Sequence, residues 1–374
     1  IEGFKHFQDI GVLEINNTYY EMSGVRKVNS NNKKDEIDIR IEMTNKTYIT
    51  IEQETERSES SYSYSIIENN EEIYELEIDF EKDEIETRVD MHLRKSKTKG
   101  IAIDGVKIKK AAELLGLLNV VFFSPEDLSI IKNGPAERRR FIDMELCQLD
   151  NFYLYNLNNY NKIVNQRNKL LKDLYFNPTL KDTLSIWDSQ LLSYGSKIIE
   201  RRIQFIEQIN SIIKDIHNNL SGGKETLRIE YEPNVTIDNY EKELSYSQDK
   251  DIKLKQTTVG PHRDDISFMV LKDGEEKEID IRKYGSQGQQ RTAALSLKLS
   301  EIELVRKMTK DTPVLLLDDV LSELDSNRQN FLLNSIGDIQ TIITCTGLDE
   351  FVNHRFEINK VFKVTNGIVE EAIK

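Results

Sequence analysis

The chain carries 374 residues, 38% hydrophobic and 31% charged, enough to fill two or three cores of a cytosolic globular protein. Its longest uncharged apolar stretch, Leu114 to Phe123, is about half of what spans a bilayer, which excludes a membrane span; Cys147 and Cys345 stand in no metal spacing and are expected as core thiols of a reducing compartment, the cytoplasm. The net charge of −14 looks wrong for a nucleic-acid binder until it is divided: residues 1 to 90 hold 23 acids against 10 bases, and the other 284 residues lie near −1.

Ile1 rather than Met opens the chain, so further N-terminal sequence is expected, and a signal peptide is not expected before the fold. Residues 1 to 93 alternate apolar and polar at Ile39/Ile41/Met43, Tyr74/Leu76/Ile78/Phe80 and Thr87/Val89/Met91/Leu93, less regularly at Tyr48/Ile49/Ile51, which predicts antiparallel sheet with one wet face. The Ser-rich patch Ser58 to Ser65 reads as a loop or edge. Residues 91 to 116 then turn basic, with Arg94, Lys95, Lys97, Lys99, Lys107, Lys109 and Lys110 against Asp104 and Glu113. Such a cluster fits a phosphate backbone, and it fits a solvated strand face equally well. Asp104-Gly105 between two apolar runs predicts a tight type I′ hairpin.

From Ser124 to about residue 220 the pattern is helical, with Pro125, Glu126 and Asp127 suited to a first turn. Phe152 to Leu174 and Ser196 to Ile216 are long amphipathic segments, the second through Ile199, Ile203, Ile206, Ile209, Ile213 and Ile216, expected to pair antiparallel across a connection around Asn177-Pro178 and Trp187. The aromatic face Tyr153, Tyr155 and Tyr160 reads as packing rather than base stacking. Arg138, Arg139 and Arg140 are consecutive and cannot share one helix face. Residues 221 to 257 read as a polar connection with strand character at Leu227 to Tyr231. In the turn-forming stretch that follows, Val259 to Asp264, His262 and Arg263 either face a phosphate or cap a turn paired to Asp264 or Asp265.

The stretch 285 to 325 organises the rest. Gly285-Ser286-Gln287-Gly288-Gln289-Gln290 opens a helix whose apolar residues, Ala294, Leu295, Leu297, Leu299, Ile302, Leu304 and Val305, give one buried face. Unpaired N–H groups and the positive dipole end gather at that N-terminus, and Gly288 removes a side chain that keeps a phosphate away. Val314 to Leu317, wholly apolar, predicts a parallel strand covered on both faces, ending in Asp318-Asp319. Adjacent acids there suit magnesium on one and water activation by the other. Taken singly, the turn is also an ordinary cap and the pair ordinary loop acids. Thr341 to Thr346 predicts a further buried strand with hydroxyls, Thr344 and Thr346, near its end.

In this order and spacing these pieces resemble the signature motif, Walker B motif and D-loop (Ser322-Glu323-Leu324-Asp325) of ABC-type ATPases. The chain resembles more closely the RecF family of bacterial recombination and gap-repair ATPases, through Asn119 to Leu128, Gly134-Pro135 with Arg138 to Glu145, and Thr258 to Asp265, over a span from about Met91 onward. The resemblance implies an α/β fold: a discontinuous ABC-type head with an antiparallel β subdomain and an inserted helical lobe, divided as 1–120, 121–250 and 251–374. It implies ATP against Ser286, Gln287, Gly288, Gln289 and Asp325, magnesium on Asp318, and Asp319 as base of a slow hydrolysis. It implies double-stranded DNA, gapped DNA included, on Arg94, Lys95, Lys97, Lys99, Arg138, Arg139 and Arg140. It further implies recombination-mediator partners and an ATP-dependent dimer.

The first ninety residues depart from the pattern. G-x-x-x-x-G-K-[ST], whose amides and Lys hold phosphates, is absent; the stretch from Gly24 puts Asn29, Ser30 and Asn31 where Gly, Lys and Ser/Thr are needed, and Gly222-Gly223-Lys224-Glu225 lacks both the first Gly and the hydroxyl. The alternative is therefore a nucleotide-impaired scaffold that binds DNA or a repair partner without an ATP cycle. A nuclease-associated or coiled-coil chromosome ATPase is disfavoured, because the helices read here are only about twenty residues long.

Overall fold

In the computed structural model the described residues are 12–16, 22–28, 34–42, 48–56, 66–68, 71–82, 85–94, 99–345, 358–365 and 368–371. Lys95, Lys97, the Ser58 to Ser65 patch, Asn29 to Asn31 and Thr346 lie outside them. The chain forms two compact units: Ile1–Phe122, Val314–Glu323 and Ile336–Lys374 make the first, and Phe123–Pro313 with Leu324–Ser335 the second.

In chain order the strands β1 (Val12–Asn16), β2 (Met22–Val28), β3 (Lys34–Glu42), β4 (Tyr48–Glu56), β5 (Ile66–Glu68), β6 (Glu71–Lys82), β7 (Ile85–Arg94), β8 (Gly100–Ile103), β9 (Val106–Lys107) and β10 (Val120–Phe123) come first. Helices α1 (Leu128–Lys132), α2 (Pro135–Leu149), α3 (Asn151–Asp173) and α4 (Leu184–Leu220) follow. After them come β11 (Glu225–Glu232), α5 (Tyr240–Leu254), β12 (Asp265–Lys272), β13 (Ile279–Asp280), α6 (Ile281–Tyr284) and α7 (Gln287–Thr309). The chain closes with β14 (Val314–Asp318), α8 (Ser326–Ser335), β15 (Thr341–Thr344), β16 (Ile358–Thr365) and β17 (Ile368–Glu371).

The first unit is built of sheets. Six strands run in the order β10-β14-β15-β1-β16-β17, and β14 pairs parallel with β15 from Leu315↔Thr341 to Asp318↔Thr344. That pairing explains the wholly apolar run, since Val314, Leu315 and Leu317 are all buried. The expected antiparallel sheet forms as well, in two pieces: β2-β3-β4, and β5 to β9. Phe80, Val89, Met91 and Ile101 line its core against Leu114, Leu117 and Leu118. Asp104 and Gly105 take φ of 49° and 75°, the left-handed pair a type I′ turn requires.

The second unit packs α3 and α4 together and joins them through residues 174–183. Helix α4 has 37 residues, longer than expected, and contains Trp187, which therefore lies in the helix and not in the connection. Its buried stripe centres on Arg202, Ile206, Ile209 and Ile213, which leaves Ile203 at the edge with 37% exposure. Residues 221 to 257 hold more structure than expected, because β11 pairs with β12 from Glu225↔Lys272 to Glu232↔Asp265 and α5 follows it. The apolar signal of α5 is small: Tyr240 and Leu244 are buried, and the rest of the buried face is Ser247 and Asp251.

Helix α7 also differs from expectation. Every residue from Thr292 to Ile302 is buried, so it shows no single buried face. Several of its buried polar residues bond within the helix: Thr292, Ser296 and Ser300 each donate to the carbonyl four residues back at 2.7 to 2.8 Å, and Lys298 Nζ pairs with Glu301 Oε2 at 2.5 Å. No helix of the described residues is long and apolar enough to cross a membrane. Cys147 and Cys345 are buried and unbridged, and burial pushes the Cys147 thiol up to about 12.

Candidate functional site

The signature turn is a closed cap on an open helix end. Ser286 is the N-cap of α7; its Oγ accepts from Gln289 N at 3.2 Å, and Gln289 Oε1 accepts from Ser286 N at 2.9 Å. Each side chain thereby satisfies the other's backbone N–H, the capping-box arrangement of a Ser with Gln three residues on. Gln289 Nε2 reaches further, donating to Glu225 Oε1 of β11 at 2.8 Å. Gln287 and Gly288 are exposed, and a Cβ at Gly288 would meet only Ser286 Oγ, at 4.0 Å. Asp325 lies in the same unit, where its Oδ1 accepts from Asn327 N and Arg328 N, both at 3.1 Å, and its Oδ2 from Arg328 Nη1 at 2.6 Å.

Asp318 and Asp319 belong to the first unit, at the C-terminal end of β14. Asp318 Oδ1 accepts from Thr344 Oγ1 at 2.6 Å, which places the strand-end threonine beside the carboxylates. Asp319 leaves the strand with φ 49°, a left-handed conformation rare outside glycine, and its N–H donates to Thr344 O at 3.0 Å. Its Oδ1 is buried with no hydrogen-bond partner among the described residues. Among the described residues no group of three or more His, Cys, Asp or Glu converges on a metal-sized site.

Neither stretch weighed as a phosphate loop has that shape. Gly24 sits inside β2, paired with Ile39. Gly222 and Gly223, with φ of 66° and 79°, close the C-terminus of α4 by donating to the carbonyls of Asn219 and Asn218. That is the negative end of a helix, where a phosphate is repelled.

The basic candidates separate sharply. Arg138 is 4% exposed: Nε and Nη2 grip Asp265 at 2.5 and 3.0 Å, and Nη1 donates to Asn133 O at 2.5 Å, so its guanidinium is spent inside the fold. Arg139 Nη1 donates to Asp264 O at 2.6 Å, and burial followed by the charge of Arg202 lowers its pKa. Arg140 is exposed on α2, Lys99 is exposed just before β8, and the backbone of Arg94 ends β7.

The Val259 to Asp264 segment proves to be a keystone. His262 Nε2 donates to Thr257 O at 3.0 Å, which leaves Nδ1 to accept from Tyr160 OH at 2.7 Å. Burial pushes His262 down to about 4, so the imidazole is neutral. Gly260 has φ 130°, and a Cβ there would collide with the hydroxyls of Tyr160 and Tyr240. Asp264, its pKa raised by burial against the pull of Arg202, accepts from Arg202 Nη1 at 2.9 Å, Asn234 N at 2.8 Å and Tyr231 OH. Tyr153 and Tyr160 are buried as packing residues, whereas Tyr155 stands 57% exposed.

Sequence reasoning missed two buried arginines. Arg202 binds Asp143, Tyr153, Pro261 O and Asp264; Arg167 binds Asp188 at 2.7 Å, Asp251 at 2.6 Å and Thr257 at 3.0 Å. The available signal was an Arg on the apolar stripe of each helix, at the spacing of its buried neighbours.

No protein-family model matches the chain. Curated relatives named "DNA replication and repair protein RecF" do: that of Lachnospira eligens is 66% identical over 284 residues, 75% of this chain and 77% of the relative. That of Lachnoclostridium phytofermentans is 57% identical over 317 residues, 85% and 86% of the two chains. The solved structure of the recombination mediator protein RecF-ATP in the RecFOR pathway superposes with a TM-score of 0.72 at 34% identity over 82% of each chain. Its RecF-ATPrS counterpart gives 0.71 at 35% over 80% and 81%. With the signature turn on α7, the strand-end Asp318-Asp319 and this likeness along most of its length, the chain belongs to the RecF family of DNA replication and repair proteins.

Proposed function

We propose that this chain acts in recombinational repair as a DNA-binding protein whose signature turn, Ser286 to Gln289, closes on the terminal phosphate of ATP held by a second subunit. The observation that carries the reading is the α7 N-terminus: its cap is self-satisfied, and Gly288 leaves the helix end open to an anion. The solved RecF-ATP and RecF-ATPrS structures support the same reading. Asp325 reaches toward the opposite site, Gln287 flanks the phosphate, and ATP serves as a dimerising adhesive.

Asp318 would hold magnesium, which would supply charge neutralisation at the phosphates. Asp319 orients the attacking water through its buried unpaired oxygen, slowly, because Asp is one methylene shorter than the Glu common in ABC-type ATPases. Arg94, Lys95, Lys97 and Lys99, with Arg139 and Arg140 at the helical side, follow the phosphate backbone of duplex or gapped DNA. Arg138 leaves that set, its guanidinium being occupied by Asp265. Residues 1–120, 121–250 and 251–374 act as β-rich part, helical lobe and signature-bearing part. Recombination-mediator proteins are the partners, and the cytoplasm the setting.

Light scattering with ATP and magnesium tests the reading. The chain is expected to stay monomeric alone and to be captured by an intact RecF relative that donates the phosphate loop; Ser286→Arg abolishes the capture. Capture that survives that change refutes the signature assignment. Asp319→Asn retains nucleotide binding and loses turnover. The second reading, a scaffold without an ATP cycle, draws on Gly24 lying in a strand and Gly222-Gly223 at a helix C-terminus. Absence of ATP-dependent capture by the intact relative, with DNA binding retained, decides for it.

A further inference from the structure

Where α3 gives way to α4, the fold leaves aromatic rings in water. Tyr175 and Phe176, directly after α3, are 74% and 84% exposed, and Tyr246 on α5 is 70% exposed. Beneath them Leu171, Leu174 and Leu184 are buried, with Leu170, Leu180 and Ile252 packed on them, which ties the end of α3, the start of α4 and the end of α5 into one base. The backbone between is fixed as well: Phe176 N and Asn177 N both donate to Asp173 O at 3.0 Å, Thr179 Oγ1 donates to Asn177 Oδ1 at 2.6 Å, and Pro178 restricts the residue before it. The rings are thus held outward on a built seat.

Lysines interleave with these rings. Lys242, Tyr246 and Lys250 stand four residues apart and, with Lys253, share one outward face of α5, a stripe of about 17 Å at helical rise. Lys242 Nζ lies 5.5 Å from the centre of the Tyr246 ring. At the end of the helix Lys255, turned by a φ of 55°, puts its Nζ 5.0 Å from the centre of the Tyr175 ring, which Phe176 meets edge-on at 5.1 Å. Residues 169–186 and 242–255 expose seven lysines against four acids, Asp173, Asp182, Glu243 and Asp249, of which Asp249 is met by Lys181 at 3.3 Å. A local positive excess on a chain of net charge −14 selects an anionic ligand. An acidic peptide answers the charge alone; a nucleobase answers the ring faces too, because stacking needs an exposed face and no enclosing pocket.

We propose that this face, from Lys242 along α5 to Phe176, binds single-stranded nucleic acid, with bases stacked on Tyr246, Tyr175 and Phe176 and phosphates running along Lys250, Lys253 and Lys255. The proposal rests on the DNA-binding reading above and adds to it a surface for unpaired strand, separate in sequence from the basic stretch that takes duplex.

Fluorescence anisotropy on the full chain, with an oligothymidine of about 12 nucleotides and a blunt duplex as probes, provides the test. Tyr175→Ala with Phe176→Ala is expected to weaken the oligothymidine at least about 10-fold, as loss of a base stack predicts, and to leave the duplex unchanged. Replacing both rings by Trp keeps the stacking faces and the affinity. Lys250→Glu with Lys253→Glu should lower the logarithmic salt slope for the single strand by about 1.4. Tyr246→Ala, on α5, gives the same selective loss and serves should the double variant fail to fold. Oligothymidine affinity that ignores the ring variants overturns the proposal, and so does an equal loss on both probes. Loss of a repair protein's binding with oligothymidine affinity intact assigns the face to a protein and overturns it too. A chain that binds neither probe sinks the DNA-binding reading, whereas one that holds the duplex and ignores the ring variants sinks this proposal alone.

Discussion

The arginines of the helical unit and the lysines that precede it are the same kind of charge put to opposite uses. Arg138, Arg167 and Arg202 are 4%, 0% and 1% exposed, each gripping carboxylates that arrive from 127, 84 and 62 residues away in the chain. Lys99, Lys107, Lys109 and Lys110 stand exposed around the β8–β9 hairpin. The difference teaches that a basic run in a sequence identifies a nucleic-acid surface only when its partner acids are known to be elsewhere. Arg138 fails that condition, because Asp265 was waiting for it.

Breaking the buried side of this contrast should have the largest effect. Arg202→Ala strands Asp143 and Asp264 beside Tyr153 and Tyr231, and chemical denaturation should report a loss of about 3 to 5 kcal/mol, the usual cost of orphaning a buried charge. Arg138→Ala should cost less, since Asp265 keeps Arg282 at 2.9 Å. Equal losses for the two would mean that the Asp264 network is not the keystone described here.

A milder probe is acid. His217 and His262 have folded-state values near 4, below the ordinary histidine value of 6.5. The unfolded chain therefore binds more protons between these limits. Stability is full above about 6.5 and declines as pH falls towards 4, by at most about 1.4 kcal/mol per pH unit for each histidine. Thermal melts between pH 7 and 4.5 should show that slope, and replacing His262 with Gln should flatten it.

The basic stretch should respond without any loss of stability. Lys95→Glu, Lys97→Glu and Lys99→Glu together should leave the melting temperature in place, weaken duplex DNA of every sequence alike, and reduce the logarithmic salt slope by about 3. Unchanged affinity would remove this stretch from the DNA surface and leave Arg139 and Arg140 to carry it.

Elements governed by local chemistry were legible in the sequence: the Asp104-Gly105 hairpin, the apolar strand ending in Asp318, the Ser286 cap. Elements governed by distant partners were not. Helix α5 shows too little apolar periodicity to announce itself because Asp251 on its buried face answers Arg167. The His262 ring, read as facing a phosphate or capping a turn, is instead held by Tyr160 and a carbonyl. At the candidate site, the sequence pointed to the signature turn and to the paired acids, but no pattern in it could show that Gln289 would be engaged by Glu225, 64 residues earlier.

The hydroxyl ladder of α7 carries a mechanical consequence. Thr292, Ser296, Ser300 and the Lys298–Glu301 pair spend their hydrogen bonds on their own helix, so those bonds travel with it. A buried helix wired in this way keeps those internal bonds if it slips a fraction of a turn along its axis, and what resists the slip is packing together with the Lys298 charge, which stands over the Phe123 and Phe141 rings and faces Asp127 and Glu145. The His217–Ser296 contact is then a latch pin across the sliding surface, and the helix end that would advance or retreat is the one bearing Ser286.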